Sequence, residues 1–248
     1  MITQNLRWFM HTVGFFSRIP IPVGTVSADD LNRSMRYLPL LGFIIGGINA
    51  LVYYGALQVW NHEVSVAISM ISSLLVTGAL HEDGLADFAD GFWGAFDKAK
   101  VLEIMKDSRI GTFGATALLA SLGLKFLFLK SLVGPSIYTA LIIAPAISRF
   151  MACALTWSLP YARDEKSLAK NLISKNGNDP VIQSFAIAVG AFLLLDQRMW
   201  LLIPTMLIFY AGFYHWLKRR LQGYTGDCLG AAQQLSELLI LAVCGAVL

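Results

Sequence analysis

The chain has 248 residues, of which 56% are hydrophobic and only 14% charged, with a net charge of +3 and a mean hydropathy of +0.61. A soluble domain is about a quarter charged, so this composition excludes an ordinary soluble protein, a disordered chain and a nucleic-acid-binding protein. It predicts an all-α, polytopic membrane protein whose apolar surface is covered by the lipid bilayer.

The first 37 residues are predicted to form interfacial helices at the cytoplasmic surface of the membrane. Residues 5–18 combine aromatic side chains with flanking arginines, a pattern typical of an amphipathic helix lying in the interface. Ser27, followed by Asp30 three positions later, resembles a helix N-cap. A short helix is therefore expected to precede the first membrane span.

Seven segments are candidate spans, because a transmembrane helix needs about 20 mostly apolar residues. They are 38–60, 64–80, 111–130, 136–159, 180–195, 199–216 and 227–248. The second and fifth are short, and the seventh begins with a polar, glycine-rich stretch. Gly42 and Gly46 form a GxxxG pair, which is expected to pack closely against another helix. We therefore expect about seven transmembrane helices in a single integral-membrane catalytic domain, residues 1–248.

The basic residues are strongly biased to one side of this topology. Fifteen of the 19 lysines and arginines lie in the N-terminal region and in the loops near 81–110, 160–179 and 217–226. The opposite side has only Lys130 and Arg198. Because loops rich in Lys and Arg stay in the cytoplasm, the first group of loops is predicted to be cytoplasmic.

Acidic residues are concentrated in one of these loops, HEDGLADFADGFWGAFDKAKVLEIMKDSRIGTFG (81–114). Seven of the 16 acidic residues of the chain fall within it. On a helix, Asp83, Asp87 and Asp90 are spaced i, i+4 and i+7 and share one face. Asp97 returns to that face if the helix continues.

Three carboxylates on one helix face repel each other, and a divalent cation would remove that cost. Oxygen ligands with room for phosphate oxygens suit Mg2+ or Mn2+ better than zinc. A cation held there could bridge a diphosphate and neutralise the leaving phosphate. His81 could orient a carboxylate or accept a proton. The alternative interpretation is a solvated acidic loop helix with no ligand.

Polar residues within the predicted spans give further candidates. Arg149 lies deep in the fourth span and, because a charge in lipid is costly, is expected to face a polar cavity or a carboxylate. Lys125 either lies in the interior or extends towards the outer interface. At the start of the last span, Asp227 and Gln234 share a helix face, and Glu237 lies nearby. This group could complete the metal site or bind the nucleotide, whereas Asp227 alone could be a simple N-cap.

Several motifs follow one another in order from about residue 16 to residue 238. They are FSRIPIP (16–22), HEDGLADFADG (81–91), EIMKDSRIGTFG (103–114), Ser148-Arg149, Tyr161-Ala-Arg163 and TGDCLGAAQQLSEL (225–238). The acidic motifs match H-x-D-G-L-A-D-x-x-D-G and M-K/R-D-S-R-x-G, and Ser17 stands where many related proteins have Thr. Together they resemble the cobalamin synthase family, the adenosylcobinamide-GDP ribazoletransferases.

The resemblance implies a transferase of late cobalamin (vitamin B12) biosynthesis, located in the cytoplasmic (inner) membrane with its active site on the cytoplasmic side. Adenosylcobinamide-GDP and alpha-ribazole, or its 5'-phosphate, would give adenosylcobalamin, or its 5'-phosphate, and GMP. A ribose hydroxyl would attack one phosphorus of the diphosphate, with Mg2+ as the cofactor. The expected partners are these small molecules and the bilayer, and a homo-oligomer or an association with other corrinoid-assembly enzymes is compatible with the family.

The motifs and the resemblance together indicate the candidate site residues. Asp83, Asp87 and Asp90 are the expected metal ligands and, with His81, the catalytic group; which of them accepts the proton stays open. The expected substrate-binding residues are Lys106, Asp107, Ser108, Arg109, Arg149, Arg163 and Asp227. A local Asp107–Arg109 pair is the structural alternative for two of these. A second tier comprises Arg18, Asp97, Lys125 and Glu237.

Three other functions are alternatives. The acidic motif loosely resembles the D-G-x-x-A-R…G-x-x-x-D-x-x-x-D motif of CDP-alcohol phosphotransferases, but Asp87 stands where that motif has Arg. A polytopic prenyltransferase would show two separated Asp-rich motifs, whereas this chain has one dense cluster. A transporter, the least favoured, would show paired half-repeats and isolated buried charges.

Overall fold

The structure is a computed structural model that describes residues 2–22, 24, 26–163, 184–188, 190 and 197–248. Within these residues the chain is built from helices, and the only extended pairing is an isolated bridge between Tyr161 and Tyr224. The predicted all-α class is confirmed.

Ten helices have defined bounds within the described residues, and 184–188 and 190 are helical as well. They are α1 (Ile2–Phe16), α2 (Ala28–Ser34), α3 (Leu38–Leu57), α4 (His62–Thr77), α5 (Leu80–Gly94), α6 (Lys98–Ile104), α7 (Thr112–Ser131), α8 (Pro135–Ser158), α9 (Leu202–Arg220) and α10 (Gly226–Val247). Two 3-10 turns, Met35–Tyr37 and Gln197–Leu201, lead directly into α3 and α9.

Five helical stretches are long and apolar enough to cross a membrane, which confirms a multi-pass membrane protein. They are Asp30–Leu57, Thr112–Ser131, Pro135–Ser158, Met199–Arg220 and Gly226–Val247. They correspond to the first, third, fourth, sixth and seventh predicted spans, including the one with the polar start. The predicted span 180–195 falls largely outside the described residues. The described part of the chain therefore contains five spans, or six if the bent pair of helices counts as one.

The bent pair is α4 and α5, where a single span, 64–80, was predicted. α4 has 16 residues, about 24 Å, and the chain then turns by 86° into α5. Gly78 and Ala79 at the bend both have left-handed backbones, with φ of 65° and 54°. Four of the 15 residues of α5 are acidic, so α5 lies outside the five spanning helices. The Asp-rich segment is thus a helix packed against the bundle instead of a solvated loop.

Arg18, a second-tier candidate, packs against this bend. Its backbone nitrogen donates a hydrogen bond to the carbonyl oxygen of Val76 at 2.7 Å. A β-carbon at Gly78 would overlap the Arg18 side chain. Glycine at this position therefore serves both the backbone conformation and the packing, and Arg18 fastens the N-terminal segment to the α4–α5 bend.

Small residues determine how the central helices pack. Gly42 and Gly46 of α3 lie directly against the backbone of α8, where a β-carbon at Gly46 would be 2.6 Å from the carbonyl oxygen of Leu141. The predicted GxxxG contact is confirmed. α8 and α10 are the most buried spans, and they form the centre of the bundle.

The N-terminal helices follow their predicted pattern. The hydroxyl of Ser27 accepts a hydrogen bond from the backbone nitrogen of Asp30 at 3.1 Å, which confirms the N-cap of α2. The indole of Trp8 in α1 donates to the Asp30 carboxylate at 3.2 Å. Val13 of α1 packs with Leu41 and Ile45 of α3. α1 therefore lies over the end of the bundle at which α3 begins.

Candidate active site

The candidate site forms where α5 crosses the start of α10. A β-carbon at Gly84 would lie 3.2 Å from the Cα atoms of Asp227 and Gly230, and one at Gly230 would lie 3.1 Å from the Cα of Gly84. The two backbones approach this closely because neither glycine has a side chain. Asp83 and Asp227 flank the crossing, one on each helix. Two acidic motifs that are far apart in the sequence therefore meet in one place.

The carboxylates at this crossing repel each other. Burial is the largest cause that raises the pKa of Asp87 to about 7, and the carboxylates around it raise it further. These belong to Asp227, Asp83 and Asp90, and Arg163 acts in the opposite direction. The cluster therefore carries excess negative charge near neutral pH, which a bound cation would stabilise.

The donor set of this cluster fits a hard cation. Within the described residues, no three His, Cys, Asp or Glu side chains converge closely enough to form a ready-made metal cage. Mg2+ commonly takes only one or two carboxylates and completes its coordination with water and substrate phosphates. Asp83 is exposed and Asp87 half-buried, one helical turn apart on the same face of α5. These two side chains are compatible with that mode of binding.

Asp90 has a structural role that the sequence did not indicate. Its Oδ2 accepts a hydrogen bond from the backbone nitrogen of Gly111 at 2.7 Å, and its Oδ1 accepts one from Gly114 at 2.8 Å. The buried carboxylate thus caps the start of α7, where amide groups lack partners within the helix. A β-carbon at either glycine would overlap the carboxylate. Metal binding by Asp90 stays a prediction, but both of its oxygens are already engaged.

Arg163 joins the end of α8 to the start of α10. Its Nη2 lies 2.9 Å from Oδ2 of Asp227 and 3.5 Å from the carbonyl oxygen of Met105. Thr225 is the N-cap of α10, and its hydroxyl also donates to Oδ2 of Asp227 at 3.2 Å. The simple alternative of an Asp227 N-cap is therefore wrong. Asp227 instead faces Arg163 and the α5 carboxylates.

A cavity of about 400 Å3 opens beside the crossing. Asp83 and Asp227 line it together with the buried side chains of His81 and Arg149. Arg149 therefore faces a cavity, as expected, but only part of the cavity lining is polar. Burial, followed by the positive charges of Arg149 and Lys125, holds the pKa of His81 well below its ordinary range, so its ring is neutral. The remaining walls are mostly apolar. They come from α1, α2, the following turn, the start of α3, α8, Leu80 of α5 and Leu229 of α10, and include the rings of Tyr161 and Tyr224.

A second polar group lies deeper, between the central helices. Lys125 Nζ of α7 is 3.1 Å from Oε1 of Glu237 in α10, and both side chains are buried. Gln233 donates to the carboxylate of Glu237 and, at 2.9 Å, to the hydroxyl of Ser148 in α8. Glu237 also attracts the charge of Arg149. Lys125 therefore lies in the interior of the bundle and does not extend towards the outer interface.

Two members of this interior group, Glu82 and Gln233, were not identified from the sequence. Gln234, which was identified together with Asp227 and Glu237, donates to Oε1 of Glu82 at 2.9 Å. Adjacent glutamines in an otherwise apolar span were the available signal, because amides buried in a membrane bundle need hydrogen-bond partners. Glu82 carries no comparable signal, since it lies within a motif that is already rich in acids.

Five other candidates do not line the cavity. Lys106, Asp107, Ser108 and Arg109 follow α6, and the exposed Arg109 Nη2 lies 2.6 Å from Oδ2 of Asp107. Hydrogen bonds from Arg109 lower the pKa of Asp107 to about 2, so the structural alternative of a local pair is observed, and a substrate-binding role stays a prediction. α5 ends at Gly94, and Asp97 is the N-cap of α6. The expectation that Asp97 shares the Asp face of α5 is wrong, because the helix stops first.

Comparison with known proteins identifies the family of this chain. The sequence model of the family described as cobalamin-5-phosphate synthase matches residues 8–245. The chain is 43% identical to an adenosylcobinamide-GDP ribazoletransferase of Vibrio cholerae, over 97% of this chain and 94% of that protein. It is 41% identical to proteins of the same name from Vibrio parahaemolyticus, over 96% and 92%, and Shewanella woodyi, over 96% and 95%. No solved structure matches the chain. The family match and these relatives cover almost its whole length, and the chain belongs to the cobalamin-5-phosphate synthase family.

Proposed function

We propose that this chain is an adenosylcobinamide-GDP ribazoletransferase that joins adenosylcobinamide-GDP to alpha-ribazole, or to its 5'-phosphate, and releases GMP. The observation that carries the proposal is the meeting of Asp83 and Asp87 on α5 with the Asp227–Arg163 pair, beside a cavity large enough for a nucleoside. The names of the relatives support the same reaction.

Asp83 and Asp87 would hold Mg2+, and Asp227 lies opposite them across the crossing. When bound, this ion would neutralise the negative charge that develops on the leaving phosphate. Arg163 complements this ion, because a guanidinium can donate two parallel hydrogen bonds to phosphate oxygens. Arg163 is already fixed by Asp227 and the Met105 carbonyl oxygen. It is therefore held in place before the diphosphate arrives.

The reaction exchanges one phosphorus–oxygen bond for another. A ribose hydroxyl oxygen bonds to the phosphorus nearer the corrinoid, the bridging bond of the diphosphate breaks, and GMP leaves with the electron pair. The proton of the attacking hydroxyl passes to a carboxylate of the cluster or to neutral His81. Holding both substrates in line at one place supplies a large part of such catalysis.

We also propose that the site faces the cytoplasm from the inner membrane. Three basic residues from the predicted cytoplasmic regions lie near the α5–α10 crossing: Arg18 packs against the α4–α5 bend, Arg163 pairs with Asp227, and Arg220 donates to the carbonyl oxygens of Phe92 and Ala95. Loops rich in Lys and Arg remain cytoplasmic. The donor has a charged diphosphate, which would make its passage across the bilayer to a site on the other side costly.

The test uses the purified full-length protein in lipid nanodiscs with adenosylcobinamide-GDP, alpha-ribazole and Mg2+. GMP release and the corrinoid product are followed together. We expect Asp83→Asn to lower turnover at least about 100-fold. Asp97→Asn is the matched control, since Asn also caps helices and Asp97 is outside the cavity.

Two outcomes would overturn the proposal. One is the absence of GMP release by the wild-type protein, and the other is equal turnover of Asp83→Asn and wild type. An isoprenyl diphosphate given as the donor should yield no product. A transfer of the prenyl group would favour the prenyltransferase alternative instead.

A further inference from the structure

The cavity beside the α5–α10 crossing has two chemically different ends. Its polar end is shared with the carboxylate site through Asp83 and Asp227, with His81 and Arg149 adjacent. Its other walls are mostly apolar. They are formed by Phe15, Phe16, Leu31, Met35, Leu38, Leu80, Ala152 and Leu229, and Tyr161 and Tyr224 also line the cavity. A ligand that fills it must therefore be polar at one end and apolar over the rest of its surface.

We propose that this cavity binds the acceptor, with the aromatic base of alpha-ribazole in the apolar part and its ribose at Asp83 and Asp227. The inference rests on the proposed function and adds to it the place and the chemical class of the second substrate. The base is a methylated benzimidazole, which is flat and apolar and has a single free ring nitrogen. Transfer of such a base from water to an apolar wall costs little free energy, because few hydrogen bonds to water are lost.

The guanine of the donor does not suit the same walls. Guanine has several donors and acceptors along its edges, and each one buried without a partner costs free energy. Phe16, Leu31 and Met35 offer none, and Tyr161 and Tyr224 bring only two hydroxyls, fewer than the polar groups of guanine. The apolar part of the cavity thus favours the benzimidazole over guanine, because guanine would have polar groups buried there without hydrogen-bond partners.

The corrinoid is excluded by size. A cavity of about 400 Å3 lies within the range of small-molecule sites. A nucleoside fits that volume, whereas a corrin ring with its amide side chains and adenosyl group is several times larger. The corrinoid therefore stays outside the cavity, and only its diphosphate reaches the carboxylates.

Two variants change the apolar walls without touching the carboxylate site. Ala152→Leu adds volume to the α8 wall, and Phe16→Ala removes part of the α1 wall. Ala154→Leu is the matched control, because it makes the same change on α8 two residues later, on another side of the helix and outside the cavity. Thermal unfolding of each protein confirms that it is folded.

The first measurement is equilibrium binding of alpha-ribazole to each protein in nanodiscs, without donor or Mg2+. We expect Ala152→Leu and Phe16→Ala to weaken binding at least about tenfold and Ala154→Leu to leave it unchanged. Free dimethylbenzimidazole should compete with alpha-ribazole, and guanosine should not. Steady-state kinetics should show the same increase in the KM for alpha-ribazole, with the KM for adenosylcobinamide-GDP changed by less than about twofold.

An increase confined to the KM of the donor would overturn the inference, since the cavity would then hold part of the corrinoid. Unchanged constants for both substrates in two folded variants would also overturn it and leave lipid as the occupant. These results are separate from a failure of the proposed function. In that case the wild-type protein would release no GMP, whether or not it binds alpha-ribazole through this cavity.

Discussion

Lys125 and Glu237 form an ion pair inside the bundle, with 3.1 Å between Nζ and Oε1 and less than a tenth of either side chain exposed. Each residue belongs to a different membrane-spanning helix. An unpaired charge at such a place is costly, so the pair couples the position of α7 to that of α10, which also carries Asp227.

The first prediction concerns this pair. Lys125→Met leaves the Glu237 carboxylate buried without its cation and should lower the free energy of unfolding by about 3–5 kcal/mol. Glu237→Leu should cost a similar amount, whereas the double variant should cost clearly less than the sum. Unfolding in one detergent, followed for all four proteins, measures the coupling. Additive losses would show that the two charges do not stabilise each other.

The second prediction concerns the Asp90 cap of α7. A β-carbon at Gly114 would overlap Asp90 and lie 2.9 Å from the carbonyl oxygen of Ala86. Gly114→Ala should therefore displace the carboxylate and destabilise the protein by about 1–3 kcal/mol. Gly123→Ala, on the same helix, meets open space and should be neutral or stabilising by up to about 1 kcal/mol. Equal effects of the two changes on the unfolding midpoint would contradict this role of Asp90.

The third prediction concerns pH in the metal-free protein. Folded Asp87 holds its proton up to about pH 7, whereas an unfolded aspartate loses it near about pH 4. The folded state binds more protons between these values, so the free energy of unfolding should fall as pH rises towards about 7. Unfolding midpoints in EDTA at about pH 5.5 and about pH 8 measure the slope.

Asp87→Asn should flatten that slope, and Asp97→Asn should retain it. Mg2+ added at the higher pH should restore stability to the wild-type protein, because the ion replaces the lost proton as the counter-charge. A slope that persists unchanged in Asp87→Asn would assign the pH dependence to another group.

The fourth prediction concerns Arg163. Arg163→Gln removes the cation beside Asp227 and the two hydrogen bonds that the guanidinium is expected to donate to phosphate. It should lower kcat/KM about 10–100-fold. Arg163→Lys keeps the positive charge but loses the planar pair of hydrogen-bond donors, so its activity should be intermediate. Arg219→Gln is the control, since Arg219 is exposed near the end of α9. Full activity of Arg163→Gln would remove Arg163 from the site.

The sequence predicted those features that depend on spacing along one helix. Asp83 and Asp87 do share a face, and the helix bounds follow the apolar segments closely. It could not predict features that depend on contacts between distant helices. The i+7 spacing of Asp90 is correct, but its carboxylate is directed to α7 by Gly111 and Gly114, which are far from it in sequence.

The α4–α5 bend was missed for a related reason. The apolar segment 64–80 has a suitable composition for a span, but two left-handed residues, Gly78 and Ala79, turn the chain before it is long enough. A lone alanine gives no sign of such a conformation, which is rare for residues with a side chain.

The contact between Gly84 and Gly230 has a consequence for how enzymes of this architecture can diversify. The separation of the two acidic helices is set by bare backbone, so no exchange of side chains at the crossing can adjust it gradually; one added methyl group would move a wall of the reaction centre. A change in the aromatic base that the enzyme accepts must then come from substitutions away from the crossing. The side chains of α1 and of the turn before α3 can vary one at a time while the distance between Asp83 and Asp227 stays the same.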